Sequence, residues 1–194
     1  MGAPEPAALL ARARQGDSDA FRVLVERHSH AVFRLAYRMT GSEEDAEDVV
    51  QETFLRAYRQ LGRFQARAEF GTWLYRIAAN CAVDFMRARA ARRDQSRAEG
   101  LERLDADAAA ASAHPGPDRL AESAEARARL ARALADLTPL ERAAFTLRHH
   151  EGRSTREIAE LLGIGASAAK HSVFRAVRKL RASLAPLRAM GERP

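Results

Sequence analysis

The segment Asp45–Tyr58, which reads DAEDVVQETFLRAY, carries apolar side chains at every third or fourth position. In a helix of about 3.6 residues per turn, such positions form one stripe that packs against the rest of a domain. The stripe consists of Ala46, Val49, Val50, Thr53, Phe54, Ala57 and Leu61. We therefore predict a helix here that buries this face in its own domain.

The opposite face of that helix is acidic and includes a leucine. Asp48, Gln51, Glu52 and Leu55 follow the helical spacing i, i+3, i+4 and i+7, and most residues from 43 to 52 are acidic. Such a surface repels a phosphate backbone and suits a basic protein partner. A solvated face with acids near the positive N-terminus of its helix explains the same charges. Charge alone leaves both interpretations open.

The same helical periodicity continues in other parts of the chain, and helix start signals accompany it. Ser42 and Thr138 are N-cap candidates, and Ser154 with Glu157 forms a capping box. The predicted helices cover residues 5–15, 18–39, 43–61, 70–92, 119–137, 139–149, 155–162 and 166–184. We therefore predict an all-α protein.

Length and charge divide the 194 residues into two small helical domains and a tether. Residues 95–125 are net acidic, contain few large apolar side chains and include the turn-forming run SAHPGP, so they indicate a flexible linker. The chain holds 32 Lys+Arg against 26 Asp+Glu, and the C-terminal third is strongly basic. The predicted domains are residues 5–94 and 126–186.

Composition excludes several classes of protein. No apolar run approaches the roughly 20 residues that span a bilayer, and the first residues lack the pattern of a secretory signal. We therefore expect a cytoplasmic protein without membrane insertion. One cysteine and six dispersed histidines predict neither an internal disulfide nor a metal site, and nothing indicates a cofactor.

A second informative segment runs from Phe64 to Asn80 and continues to Arg87. One face of its helix is apolar and belongs to the core, and we assign Trp73 chiefly to packing. The other face and the preceding loop mix Arg, Asn, Thr and aromatic groups, the combination that contacts phosphates, base edges and stacked bases in single strands. We leave the role of Tyr75 open.

A third segment has the pattern of a helix-turn-helix. A helix over residues 155–162 is followed by Gly163 and a second helix, whose Ala169, Val173, Val177 and Leu180 we expect to pack inward. The solvent side then carries Lys170, His171, Ser172, Phe174, Arg175 and Arg178. Such a helix fits the major groove of duplex DNA. A basic solvated face is the alternative.

These segments resemble a known family. The run DAEDVVQETFLRAY followed by FGTWLYRIAAN at residues 70–80 resembles conserved region 2 of the extracytoplasmic-function (ECF) sigma factors of bacterial RNA polymerase. The run LTPLERAAFTLR at residues 137–148, with the helix-turn-helix behind it, is similar to their region 4. The resemblance spans about residues 7–184 and favours a protein partner for the acidic face.

The resemblance implies a subunit that directs transcription initiation, as in stress responses, by binding core RNA polymerase at its clamp helices and flap. The positions matching the clamp-binding surface are Asp48, Gln51, Glu52 and Leu55. The family reads the −10 element as single-stranded DNA with a base flipped into a pocket of the loop Phe64–Gly71. The corresponding candidates are Phe64, Arg67, Thr72, Tyr75, Arg76, Asn80 and Arg87.

The resemblance further implies recognition of the −35 element as duplex DNA. The candidates are Arg153, Ser154, Thr155, Lys170, His171, Ser172, Phe174, Arg175 and Arg178. Family members commonly place Ser and then Arg where this chain has His171 and Ser172. The resemblance also implies an anti-sigma factor as a partner, which can hold the protein at the inner membrane.

Two other functions compete with this interpretation. A helix-turn-helix regulator that never contacts polymerase explains only the C-terminal third of the chain. An enzyme requires an activated nucleophile or a convergent acid–base pair. His149 and His150 are adjacent, so a helix directs them about 100° apart. We expect no catalytic residue.

Overall fold

The computed structural model describes residues 7–64, 69–98 and 129–191. Every regular element in these ranges is helical, which confirms the all-α prediction. The helices are α1 (Ala7–Arg14), α2 (Ser18–Thr40), α3 (Glu43–Gln60), α4 (Phe70–Ala98), α5 (residues 129–135 in its described part), α6 (Pro139–His149), α7 (Thr155–Leu162) and α8 (Ala166–Gly191), with a short 3-10 helix at Leu61–Arg63. They form two compact units that divide between Arg89 and Ala90.

In the first unit, α2 packs along α3 and against α1. The link between α2 and α3 is short because Gly41 adopts a left-handed backbone (φ +79°), and its N–H bonds to the carbonyl of Tyr37 at 2.8 Å. Ser42 then caps α3 by accepting from the N–H of Asp45. The core consists of fully buried apolar side chains, among them Leu24, Leu35, Met39, Val49 and Leu74.

In the second unit, α6 and α7 pack against α8. Capping boxes begin both α6 and α7, where Thr138 pairs with Glu141 and Ser154 pairs with Glu157. Gly163, in a left-handed backbone (φ +63°), ends α7 and starts the turn into α8. The predicted helix-turn-helix is thus present.

Two expected helix ends differ from the structure by several residues. Helix α4 continues to Ala98 instead of ending at residue 92, because the Ala- and Arg-rich run past Ala88 consists mostly of strong helix formers. Helix α8 continues to Gly191 instead of 184 and includes Pro186. Most of the predicted linker and the first part of the predicted helix 119–137 lie outside the described residues.

Candidate interfaces for polymerase and promoter DNA

The acidic face of α3 is accessible. Asp48 and Gln51 are exposed, Leu55 is 45% exposed and Glu52 is half-buried. We call the surface formed by these four residues the α3 face. It combines two carboxylates, an amide and an exposed leucine, so it can contact a basic helix through both charge and apolar area.

Two acids of α3 are engaged within the first unit. Asp45 forms an ion pair with Arg89 of α4. Glu52 Oε1 lies 2.6 Å from Nε of Arg56, whose Nη1 lies 3.0 Å from Oδ2 of Asp84 on α4. Hydrogen bonds to Glu52 and Asp84 hold the pKa of Arg56 above its ordinary value. The exposed acids of this region are Glu43, Glu44, Glu47 and Asp48.

An open apolar groove adjoins the α3 face. Its lining comes from α2 and α3 and consists of Phe21, Val25, Phe33, Glu47, Val50, Gln51, Phe54, Leu55 and Tyr58. Tyr58 is 49% exposed, and its ring meets Phe21 edge-on with 5.0 Å between ring centroids. Tyr58 was not among the residues predicted to bind a partner, although its position three residues after Leu55 places it on the same side of the helix.

The start of α4 is held by a cluster of three aromatic rings. The centroid of Phe64 lies 6.0 Å from Phe70 and 4.9 Å from Trp73. Phe64 is only 5% exposed, so its predicted contact with DNA is wrong. The ring is buried because removing a large aromatic surface from water stabilises the folded domain. The assignment of Trp73 to packing is confirmed. Arg67 lies outside the described residues.

The remaining −10 candidates lie along one side of α4. Thr72, Arg76 and Arg87 are exposed, whereas Tyr75 and Asn80 are half-buried. The Asn80 side-chain amide donates to the carbonyl of Arg76 at 2.8 Å. Nη1 of Arg87 lies 3.9 Å from Oδ1 of Asp84. The side of α4 therefore presents a polar, positively charged strip next to the aromatic cluster.

The exposed face of α8 is basic and includes one aromatic ring. Its exposed residues are Lys170, His171, Phe174, Arg175 and Arg178, and the Phe174 ring is 63% exposed. A large exposed apolar ring among cations is suited to contact apolar groups at the edges of bases, while the cations contact phosphates or guanine.

Ser172 does not belong to that face. It is completely buried, in one stripe with Ala169, Ala176 and Leu180, at positions i, i+3, i+7 and i+11. Val173 and Val177, which we expected to pack inward, are only half-buried. The predicted contact of Ser172 with DNA is therefore wrong, because the inward stripe is offset by one residue and a serine is small enough to enter it.

The N-terminus of α7 uses its own polar side chains. The hydroxyl of Ser154 accepts from the N–H of Glu157, and Glu157 accepts from the N–H of Ser154. Hydrogen bonds from the side chain and the backbone of Ser154 to the carboxylate lower the pKa of Glu157, and Nη1 of Arg153 lies 3.3 Å from Oε1 of the same carboxylate. Thr155 is half-buried. The helix N-terminus itself remains a suitable contact for a phosphate.

Glu141 is a buried acid of the second unit and was not among the predicted site residues. Its carboxylate lies 2.7 Å from Nζ of Lys179 and 3.3 Å from Nε of Arg175. Burial raises the pKa of Glu141, but hydrogen bonds from Lys179 and Thr138 outweigh burial and leave that pKa below its ordinary value. The acid is therefore ionised and joins α6 to α8.

The histidine, cysteine and acidic side chains of the described residues form no metal-binding cluster. In the described ranges, no group of three or more His, Cys, Asp or Glu side chains is arranged to hold a metal ion. Cys81 is buried, and burial raises the pKa of its thiol. His149 ends α6 and His150 caps it. No helix in the described part of the chain has the length and apolar character to cross a membrane.

Comparisons with known proteins identify the family. Residues 24–92 match Sigma-70 region 2, and residues 127–180 match Sigma-70, region 4. The RNA polymerase sigma-H factor of Pseudomonas aeruginosa is 35% identical over 181 residues, which cover 92% of this chain and 93% of the relative. The ECF RNA polymerase sigma-E factor of Escherichia coli K12 is 35% identical over 180 residues, which cover 92% of this chain and 94% of the relative. The chain belongs to the ECF family of RNA polymerase sigma factors.

The fold of this sigma factor agrees with solved relatives. CnrH, solved in complex with the cytosolic domain of CnrY, is 30% identical with a TM-score of 0.57 and covers 92% of this chain and 96% of CnrH. RpoE of Bartonella quintana, solved with the anti-sigma factor NepR, has the same TM-score of 0.57 at 23% identity. The match covers 84% of this chain and 96% of RpoE, and at this identity it supports only the fold.

Membership in the family decides between the two DNA-binding functions. A regulator that never contacts polymerase leaves the region 2 match at residues 24–92 without a role. This sigma factor binds core RNA polymerase and promoter DNA and directs promoter-specific initiation.

Proposed function

We propose that the α3 face and the adjoining groove bind the clamp helices of core RNA polymerase. The support is the coincidence of an exposed leucine, exposed acids and an open apolar groove on the segment that matches region 2. Charge steers the encounter, and the apolar area of Leu55, Tyr58 and Phe21 supplies contact once the partner helix is seated.

A charge reversal at Asp48 tests this proposal. Asp48→Arg places a cation on the α3 face and should weaken core binding at least tenfold, because like charges across an interface are costly. Asp94→Arg makes the same charge change at an exposed carboxylate on α4, outside the α3 face, and should leave core binding unaltered. Titration of labelled sigma factor with core polymerase measures both affinities. Equal affinities of the two variants would contradict the proposal.

We infer that the strip along α4 reads the −10 element. Thr72, Tyr75, Arg76, Asn80 and Arg87 offer hydrogen bonds, a ring edge and cations on one side of the helix. Flipping a base out of the stack costs a few kcal/mol, so these contacts have to return that energy once the base is out. The binding energy of these contacts would then couple strand opening to recognition of the sequence, without nucleotide hydrolysis.

We infer that α8 reads the −35 element. The proposed contacts to bases and phosphates are Lys170, His171, Phe174, Arg175 and Arg178, with Arg153, Ser154 and Thr155 near a phosphate at the N-terminus of α7. An arginine pairs well with guanine, and Phe174 suits a thymine methyl group. We assign these roles to domains at residues 5–94 and 126–186, with the linker at residues 95–125 between them.

We also propose that a separate anti-sigma protein controls this sigma factor. The family resemblance implies such a partner, and the relative CnrH was solved with the cytosolic domain of another protein, CnrY.

We place the protein in the cytoplasm, where core polymerase acts, and the anti-sigma factor can hold it at the inner membrane. We propose that it has no enzymatic activity of its own, as its relatives are transcription initiation factors.

A further inference from the structure

Glu141 is almost completely buried, and two hydrogen-bond donors and one further cation surround its carboxylate. Its side chain is 4% exposed; the Thr138 N–H and Nζ of Lys179 donate hydrogen bonds to it, and Nε of Arg175 lies at ion-pair distance. A buried carboxylate is costly unless it is paired and hydrogen-bonded, so each donor contributes to keeping it in place.

The two oxygens of Glu141 have different partners. Oε2 accepts from the Thr138 N–H at 3.0 Å, which completes the cap of α6, and from Lys179 at 2.7 Å, which ties α6 to α8. Lys179 also donates to the carbonyl of Asp136 at 3.3 Å. Oε1 lies 3.3 Å from Nε of Arg175. The structural bonds thus use one oxygen, and the other faces an arginine of the exposed face of α8.

The contact at Nε suits an arginine that reads DNA. A guanine is recognised through O6 and N7 by two parallel N–H groups, and a guanidinium held at Nε still has its Nη1 and Nη2 groups for that purpose. The Arg175 side chain is 52% exposed, so it extends into solvent from the ion pair. A long side chain that is ordered before binding loses less conformational entropy when DNA arrives.

We propose that Glu141 is a positioning residue for −35 recognition, which holds Arg175 in the orientation that reads a base edge. The inference rests on the proposed function of α8 as the −35 reader. The opposite role, in which Glu141 withholds Arg175 from DNA, predicts that removing the charge of Glu141 sharpens recognition instead of weakening it.

The test is a double-mutant cycle in the holoenzyme. Full-length wild type, Glu141→Gln, Arg175→Ala and the double variant are each assembled with bacterial core polymerase and used to select from duplex templates randomised across the −35 region. Glutamine at 141 retains the carbonyl oxygen that caps α6 but removes the charge next to Arg175. Lys179→Gln is the matched control, because it removes the other ion pair of Glu141 and leaves the Arg175 contact. Thermal melting of each protein reports folding separately.

Arg175→Ala should lower base preference at one or two adjacent positions by roughly 5- to 150-fold, the discrimination of one bidentate contact. Glu141→Gln should lower preference several-fold at the same positions and add nothing in the Arg175→Ala background, whereas Lys179→Gln should keep the preference. The inference would be overturned if Glu141→Gln lowers only the melting temperature, or if it changes base preference at other positions or in the Arg175→Ala background. A stronger base preference in Glu141→Gln would overturn it as well. If Arg175→Ala changes no preference, the proposed function of Arg175 fails first, and the inference fails with it.

Discussion

Ser172 lies in the inward stripe of α8, one turn from Ala169 and one turn from Ala176. Its hydroxyl has no hydrogen-bond partner within the described ranges. Leaving a buried hydroxyl unpaired costs about 1–3 kcal/mol, whereas an alanine at the same place removes the polar group and keeps most of the volume. The sequence pattern could not reveal this burial, because a polar residue beside His171 is equally consistent with an exposed basic face.

Ser172→Ala should therefore stabilise the second unit by about 1 kcal/mol and leave −35 preference unchanged. Thermal unfolding and template selection by the holoenzyme measure the two quantities. Ala176→Ser is the matched control: it introduces a hydroxyl at an equally buried position one turn further along and should destabilise. Loss of −35 preference in a well-folded Ser172→Ala protein would return Ser172 to the DNA interface.

At the scale of the element, the turn between α7 and α8 depends on Gly163. Its φ of +63° lies in the left-handed region, and no atom outside its chain neighbours lies within 4 Å of where a Cβ would sit. Any cost of a side chain there is therefore backbone strain and not a steric clash with the rest of the unit.

Gly163→Ala should accordingly destabilise the second unit by about 1–2 kcal/mol. Gly62→Ala is the control, because Gly62 has equal free space and no left-handed backbone, and it should be neutral or slightly stabilising. Urea unfolding followed by helix content measures both. A neutral Gly163→Ala would mean that the turn does not require this backbone conformation.

Helix pairing through Glu141 predicts a pH dependence. The pKa of Glu141 in the folded protein lies below the ordinary value of 4.5. Its contribution to stability is therefore fully present above pH 4.5 and is lost as the pH falls through the folded pKa. Glu141→Gln should be less stable than wild type at neutral pH, and the two stabilities should converge in acid. Parallel stability curves from urea unfolding at each pH would contradict this.

Local signals predicted the helices well, because apolar periodicity, capping residues and glycines act within a few residues of each other. Ser42, Ser154 and Gly163 perform the roles that their neighbours in the sequence predict. The pairing of Glu141 with Arg175 depends on how α6 packs against α8, and the burial of Phe64 depends on a ring cluster formed with α4. Such tertiary contacts have no local signature, so the sequence could not predict them.

At the scale of the whole molecule, acidic and basic surfaces lie on different helices: the first unit carries the acidic α3 face and the basic strip of α4, and the second unit carries the basic face of α8. The α3 face and its neighbouring acids repel phosphates and suit a protein, whereas the exposed face of α8 has no acid from Lys170 to Arg181 and suits DNA. The distribution of charge along the sequence predicts this division. One chain can therefore bind polymerase and promoter at once without the two partners competing for one surface.

The most direct test of the central claim is transcription in vitro, with the purified protein added to sigma-free bacterial core polymerase over a library of promoter-like templates. We predict initiation at templates that share one −35 and −10 pair, and loss of that initiation with Asp48→Arg but not with Asp94→Arg. Duplex binding by the protein without core binding and without initiation would contradict the account.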